Sequence, residues 1–148
     1  MGLAKTARMK LNRKYILPTL IAAIAGGSYF ALNNSQNAPK STDRALVEVT
    51  VPELSALAQQ GAEAFGTHCI ACHGANAAGV DGAGPPLVHK IYEPSHHGDM
   101  AIALAPIRGV QRHHWPFGDM PPVEGITEDE ILRILAYIRE LQRANGIS

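Results

Sequence analysis

Cysteine occurs twice in the 148-residue chain, at Cys69 and Cys72, and His73 follows directly. The stretch Cys69-Ile70-Ala71-Cys72-His73 has the spacing of a c-type haem attachment site. Thioethers from Cys69 and Cys72 would hold the two vinyl groups of one porphyrin, and His73 would then fall beneath the iron as an axial ligand. The same residues admit two rivals, a thioredoxin-type disulfide and half of a zinc site. Zinc needs two further ligands at metal spacing, and a thioredoxin-like site needs a βαβ context that the surrounding sequence does not offer.

An iron held by one histidine has a second axial position, which electron-carrying haem proteins commonly fill with a methionine thioether. The tripeptide Gly-Asp-Met occurs at 98–100 and again at 118–120. Met100 heads an apolar periodic run and reads as a core residue, whereas Met120 sits in the Pro-bounded loop Trp115-Pro116-Phe117-Gly118-Asp119-Met120-Pro121-Pro122. Prolines on both sides forbid regular helix there, and Met120 is the expected ligand, with Met100 or a histidine as the alternatives. A ligating histidine usually donates its other ring N–H to a carboxylate, carbonyl or water. The Pro85 carbonyl, in Gly84-Pro85-Pro86-Leu87, is the candidate acceptor, against the plain alternative of a rigid turn.

Helices must position these groups. Pro52 and Glu53 suit a helix start, and Leu54, Leu57, Ala58, Gly61 and Phe65 recur at three- and four-residue spacing up to the haem motif. Residues 74–86 are small and turn-forming and read as a loop. Asp99 is a candidate cap for a short helix carrying Met100, Leu104 and Ile107, with Pro106 interrupting it. Thr127 to Glu130 is a capping box, and Ile131, Ile134, Leu135, Ile138 and Leu141 form an apolar stripe, which predicts a helix over about 128–144.

Formal net charge is zero, but it is a cancellation between opposite ends. Five cations and no acid occupy residues 1–14, whereas from Glu53 onward eleven acids oppose six Lys/Arg, a net −5. Nothing in that balance favours a nucleic-acid partner. Residues 15–32 carry no charge, and as a helix they would reach about 27 Å, close to the thickness of a bilayer core. The preceding cations place the N-terminal end in the cytoplasm, so the remainder is exported. A cleaved signal peptide is the competing reading, but an A-x-A-like cleavage site is absent around Gly26 to Asn34. The expected organisation is a basic cytoplasmic tail 1–14, a transmembrane anchor 15–32, a linker 33–52 in which residues 45–51 dock on the domain, and a haem domain 53–148.

These motifs, in this order over roughly residues 53–144, resemble class I cytochrome c domains, the small all-α electron carriers built around one covalent haem c. The resemblance rests on Gly61 and Phe65, the Cys69-to-His73 motif, Gly84-Pro85 with Leu87, Met120-Pro121, and Leu135-Ala136-Tyr137-Ile138. It implies that the first and last helices cross at Gly61, Phe65 and Tyr137, that the Pro85 carbonyl orients His73, and that Met120 is the distal ligand. It further implies a carrier with no turnover of its own, passing electrons between a donor and an acceptor such as a terminal oxidase, reductase or dehydrogenase. The anchored arrangement looks like bacterial cytochromes tethered to the inner membrane with the haem domain in the periplasm. A haem peroxidase or gas sensor with a labile sixth ligand is the alternative. Family proteins often hold a haem propionate with tryptophan or arginine, and Arg108, Arg112, His114 and Trp115 are the candidates here. Six further histidines, His68, His89, His96, His97, His113 and His114, read as solvated loop residues, since their pairs lack a regular ligand spacing. A surface copper site is the sharper alternative.

Overall fold

The computed structural model of the chain describes residues 45–148. The tail 1–14, the apolar segment 15–32 and the linker as far as residue 44 lie outside the described residues. Among the described residues, no helix is long and apolar enough to cross a membrane. Among the described residues, four α-helices carry the fold: α1 Ala56–His68, α2 Ile70–His73, α3 Asp99–Arg108 and α4 Glu128–Ala144. Two 3-10 turns, Ala75–Ala77 and Lys90–Tyr92, lie in the connections. The described residues contain no strand, only the isolated antiparallel bridges Val80 to Gly84 and Val110 to Met120. The architecture is all-α.

Helix α4 spans what its periodicity predicts. Thr127 Oγ1 accepts from the Glu130 backbone N–H at 3.3 Å, and Glu130 Oε2 accepts from the Thr127 N–H at 2.9 Å, so two otherwise orphaned donors are satisfied. Its apolar stripe buries Ile131, Ile134, Tyr137, Ile138 and Leu141. Each such side chain contributes about 1.5–3 kcal/mol on leaving water.

Helix α1 starts later than Pro52 and Glu53. Ser55 is its N-cap, with Oγ accepting from the Ala58 N–H at 3.2 Å. Ser55 in turn donates to Glu140 of α4, from its hydroxyl at 2.6 Å and its backbone N–H at 3.0 Å. That carboxylate draws the start of the helix to this residue and sits at the positive end of its dipole. The register buries Ala58, Gly61, Ala64 and Phe65, and leaves Leu57 51% exposed, outside the apolar face expected of it.

The α1 and α4 axes meet at Gly61. A Cβ placed there would lie 2.0 Å from the Arg133 carbonyl oxygen and 3.0 Å from Tyr137 Cβ. Only glycine lets the two backbones come so close. One turn further on, Phe65 and Tyr137 meet edge to face at 5.5 Å, and with Ile134, Ile138 and Leu141 they form the core.

Helix α3 begins at Asp99 with Gly98 as its N-cap, so Asp99 occupies the first turn rather than the cap. Pro106 lies inside the helix without interrupting it, and Gly109 (φ +71°) ends it. Met100 is 68% exposed and Ile107 50%. They lie two turns apart on the solvent face, so Met100 is not the core residue its place in the apolar run implied. α3 is tied to α4 by Arg139, only 7% exposed. Arg139 donates to Asp99 Oδ1 at 2.7 Å, to the Tyr92 and His97 carbonyls at 2.8 and 2.6 Å, and to Gln142 Oε1. Ahead of α1, residues 45–51 pack along the domain: the Leu46 and Val47 N–H groups donate to the Ala78 carbonyl, and Thr50 exchanges two backbone hydrogen bonds with the Asn145 side chain.

Candidate functional site

Cys69 ends α1 at φ −122°, and α2 then carries Cys72 and His73 before Gly74 (φ +71°) stops it. A side chain at Gly74 would meet the Gly79 carbonyl oxygen at 2.6 Å. The loop that follows is folded back tightly. The Gly79 N–H donates to the His73 carbonyl at 2.7 Å, and the Ala77 carbonyl accepts from Leu87 and Val88 at 2.8 and 3.4 Å. Asn76 and Ala77 take left-handed φ values of 55° and 57° to permit this. A left-handed alanine costs about 1–2 kcal/mol, and it persists because the hydrogen bonds on both sides over-determine it. Gly84 passes so near α2 that a Cβ would lie 2.6 Å from the Cys72 carbonyl oxygen.

The result of this packing is that the Pro85 carbonyl stands 2.9 Å from His73 Nδ1. His73 donates its Nδ1–H to that carbonyl, which leaves the Nε2 lone pair free. Burial holds the imidazole below its ordinary pKa, against the opposing pull of the Pro85 bond, so the ring is neutral and a competent metal ligand. Cys69 and Cys72 are not joined in a disulfide. Burial, and secondly the neighbouring Cys72, push the Cys69 thiol up to about 11.

Met120 is held from both sides. It exchanges backbone hydrogen bonds with Val110, each at 2.9 Å, directly after the Gly109 turn, where any Cβ would strike the Met120 carbonyl oxygen at 2.6 Å. The Arg112 N–H donates to Asp119 Oδ1 at 2.9 Å, and the Val123 N–H donates to the Pro106 carbonyl at 2.8 Å. These contacts tie the methionine loop to the end of α3.

Cys69, Cys72, His73, Pro85 and Met120 all line one cavity of about 520 Å³ with largely apolar walls, which include Phe65, Ile102 and Ile138. That volume lies within the range of small-molecule and cofactor sites, about 300–1,000 Å³. Met100 is not among its walls. Arg112, His114 and Trp115 are, whereas Arg108 is not. The Trp115 Nε1–H is buried with no hydrogen-bond partner. Burial raises the pKa of the adjoining Tyr92 phenol, and the neighbouring Trp115 side chain opposes that rise. An orphaned donor in an apolar cavity is costly unless a ligand acceptor completes it. A covalent porphyrin fits on each count: two thiols, a neutral imidazole, a thioether, an apolar cavity, and a spare donor for a carboxylate.

His96, His113 and His114 are exposed loop residues as expected, whereas His68, His89 and His97 are half-buried. His68 Nε2 lies 3.4 Å from Glu130 Oε1, and His89 caps the Lys90–Tyr92 turn while its ring meets Trp115 at 5.1 Å. The other four cluster, and partial desolvation followed by repulsion from His113, His97 and His96 pushes His114 below its ordinary pKa. The repeated His-His pairs were the sequence signal for this cluster. The Arg139 network had no such signal, because its carbonyl partners are set by the fold.

A family model described as Cytochrome c matches residues 58–142. No curated protein sequence matches the chain.

Proposed function

The chain belongs to the cytochrome c family and carries one covalent haem c, and on that premise we propose that it is a membrane-tethered single-electron carrier in which His73 and Met120 would hold the haem iron. The observation that carries the reading is the convergence of both side chains on one apolar cavity, each fixed by its backbone surroundings. Bound haem supplies a one-electron ferric/ferrous couple. His73 is oriented through its Nδ1–H bond to Pro85, which raises the basicity of Nε2. Met120, held by the Val110 bridge behind it, would be the second protein ligand to the haem iron and would keep exogenous ligands out. The apolar walls exclude water, which keeps reorganisation on electron transfer small. The Trp115 indole N–H would be a donor for a propionate.

The charge pattern supports the rest of the reading. The net −5 of the haem domain steers it toward positively charged faces of a donor and an acceptor, such as a terminal oxidase, reductase or dehydrogenase. Residues 15–32 anchor it as a single span in the inner membrane, with the haem domain in the periplasm and the basic residues 1–14 in the cytoplasm. Tethering raises its effective concentration near membrane complexes.

The test is potentiometry on the membrane-extracted protein. A carrier gives one reversible one-electron wave and a ferrous form that does not take up CO. Rapid CO binding or peroxide turnover would instead reveal an open sixth position and an enzyme or sensor.

A further inference from the structure

Two His-His pairs, 96–97 and 113–114, flank α3 in the sequence and meet in space. The first pair sits on a turn whose His96 and His97 N–H groups both donate to the Glu93 carbonyl, at 3.0 and 2.8 Å, and Arg139 holds the His97 carbonyl from below at 2.6 Å. The second pair follows Val110 at the far end of α3, in the segment tied down by the Met120 bridge. One ring nitrogen from each of His96, His97 and His114 lies within 4.8 Å of the others. We propose that His96, His97 and His114 form a site for one divalent transition-metal ion, Cu2+ ahead of Zn2+, at the rim of the cavity and separate from the haem ligands.

The geometry supports this beyond mere proximity. His96 Nε2 and His114 Nε2 are 3.3 Å apart. A tetrahedral centre with metal–nitrogen bonds of about 2.0–2.1 Å sets its ligand atoms about 3.3 Å apart, so these two nitrogens stand at ligand spacing. Without metal, one Nε2–H donates to the other Nε2; when the ion binds, that ring takes its proton at Nδ1 instead and both Nε2 atoms present lone pairs. His97 donates its Nδ1–H to the Ile91 carbonyl at 2.7 Å, which leaves Nε2 as a lone pair. This is the outer hydrogen bond that metal-ligating histidines use to fix their tautomer and orientation. His113 makes the same kind of bond to the Gln111 carbonyl at 2.8 Å, and its ring stacks on His97 at 5.7 Å. The clustered ligand atoms are imidazole nitrogens with no carboxylate among them, which disfavours Ca2+ and Mg2+ and favours Cu2+ and Zn2+, with Cu2+ bound more tightly.

The test is titration of the full-length, haem-loaded protein with Cu2+ at fixed neutral pH, followed by calorimetry and electron paramagnetic resonance. The expected result is one equivalent bound, with nitrogen hyperfine structure on the copper signal. The double variant His96→Ala/His114→Ala should lose at least about 100-fold in affinity while its circular dichroism stays unchanged, since both side chains are exposed. Zn2+ should compete for the same equivalent. Equal Cu2+ affinity in the wild type and the folded double variant, or a copper signal lacking nitrogen ligands, would overturn the proposal.

Discussion

Replacing Gly61 by alanine sets two effects of opposite sign against each other. Helix propensity alone favours alanine by about 0.8–1 kcal/mol. The new Cβ would lie 2.0 Å from the Arg133 carbonyl oxygen, a full ångström inside the closest approach real Cβ atoms make, 3.0 Å. The obstacle is backbone, so no side chain can swing aside and α1 and α4 must part. Overpacking of this kind costs about 1–3 kcal/mol, at the upper end when backbone has to move. Separation also loosens the Phe65 to Tyr137 edge contact at 5.5 Å, worth about 0.5–1.5 kcal/mol. The clash wins, and Gly61→Ala should destabilise the holoprotein by about 2–3 kcal/mol, a melting-temperature drop of about 10–20 °C. Gly66 is the control, since it lies in the same helix with nothing within 4 Å of the position a Cβ would take. Gly66→Ala should raise stability by about 0.5–1 kcal/mol. Thermal unfolding followed by far-ultraviolet circular dichroism reads both. Two changes of the same sign would refute the reasoning.

Arg139→Met strands the His97 carbonyl and Gln142 Oε1, leaving the Tyr92 carbonyl only its bond from Gln142 Nε2, and should cost about 3–5 kcal/mol in denaturant unfolding, whereas Asp99→Asn at the exposed end of the same network should cost less than about 1 kcal/mol. Equal losses would show that the network is organised by the ion pair and not by the carbonyls. Trp115→Phe removes the orphaned donor, and should lower holoprotein stability by about 1–3 kcal/mol if a propionate completes it. An unchanged melting temperature would assign the propionate elsewhere. Hydrogen bonds from Thr127 hold Glu130, and hydrogen bonds from Ser55 hold Glu140, below the ordinary carboxylate value of 4.5. A depressed folded-state pKa contributes stability that is present above 4.5 and lost as pH falls through the folded-state values. The double variant Glu130→Gln/Glu140→Gln should therefore show a shallower acid limb in stability against pH, and an unaltered slope would exclude these two groups as its source.

The sequence made legible whatever depends on local spacing. Cys69 to His73 and the α4 capping box are complete within a few residues, so their chemistry is visible without a fold. The start of α1 was not, because Ser55 is chosen as its N-cap together with Glu140, 85 residues away. The exposure of Met100 was hidden for a related reason. A helical apolar pattern shows that a face exists, but the Arg139 contacts decide which face of α3 turns inward. The histidines illustrate the same limit in reverse: their linear spacing resembles no metal motif, yet α3 returns the chain so that 96–97 meets 114.

Electron carriage by this protein depends on whether Met120 and His73 hold one iron. The most direct measurement is the near-infrared and visible absorption of the ferric protein, wild type beside Met120→Ala. A low-spin spectrum with a methionine-to-iron charge-transfer band, lost in the variant while covalent haem survives denaturation, is the predicted result. A high-spin wild-type spectrum, or a charge-transfer band that persists in Met120→Ala, would contradict it.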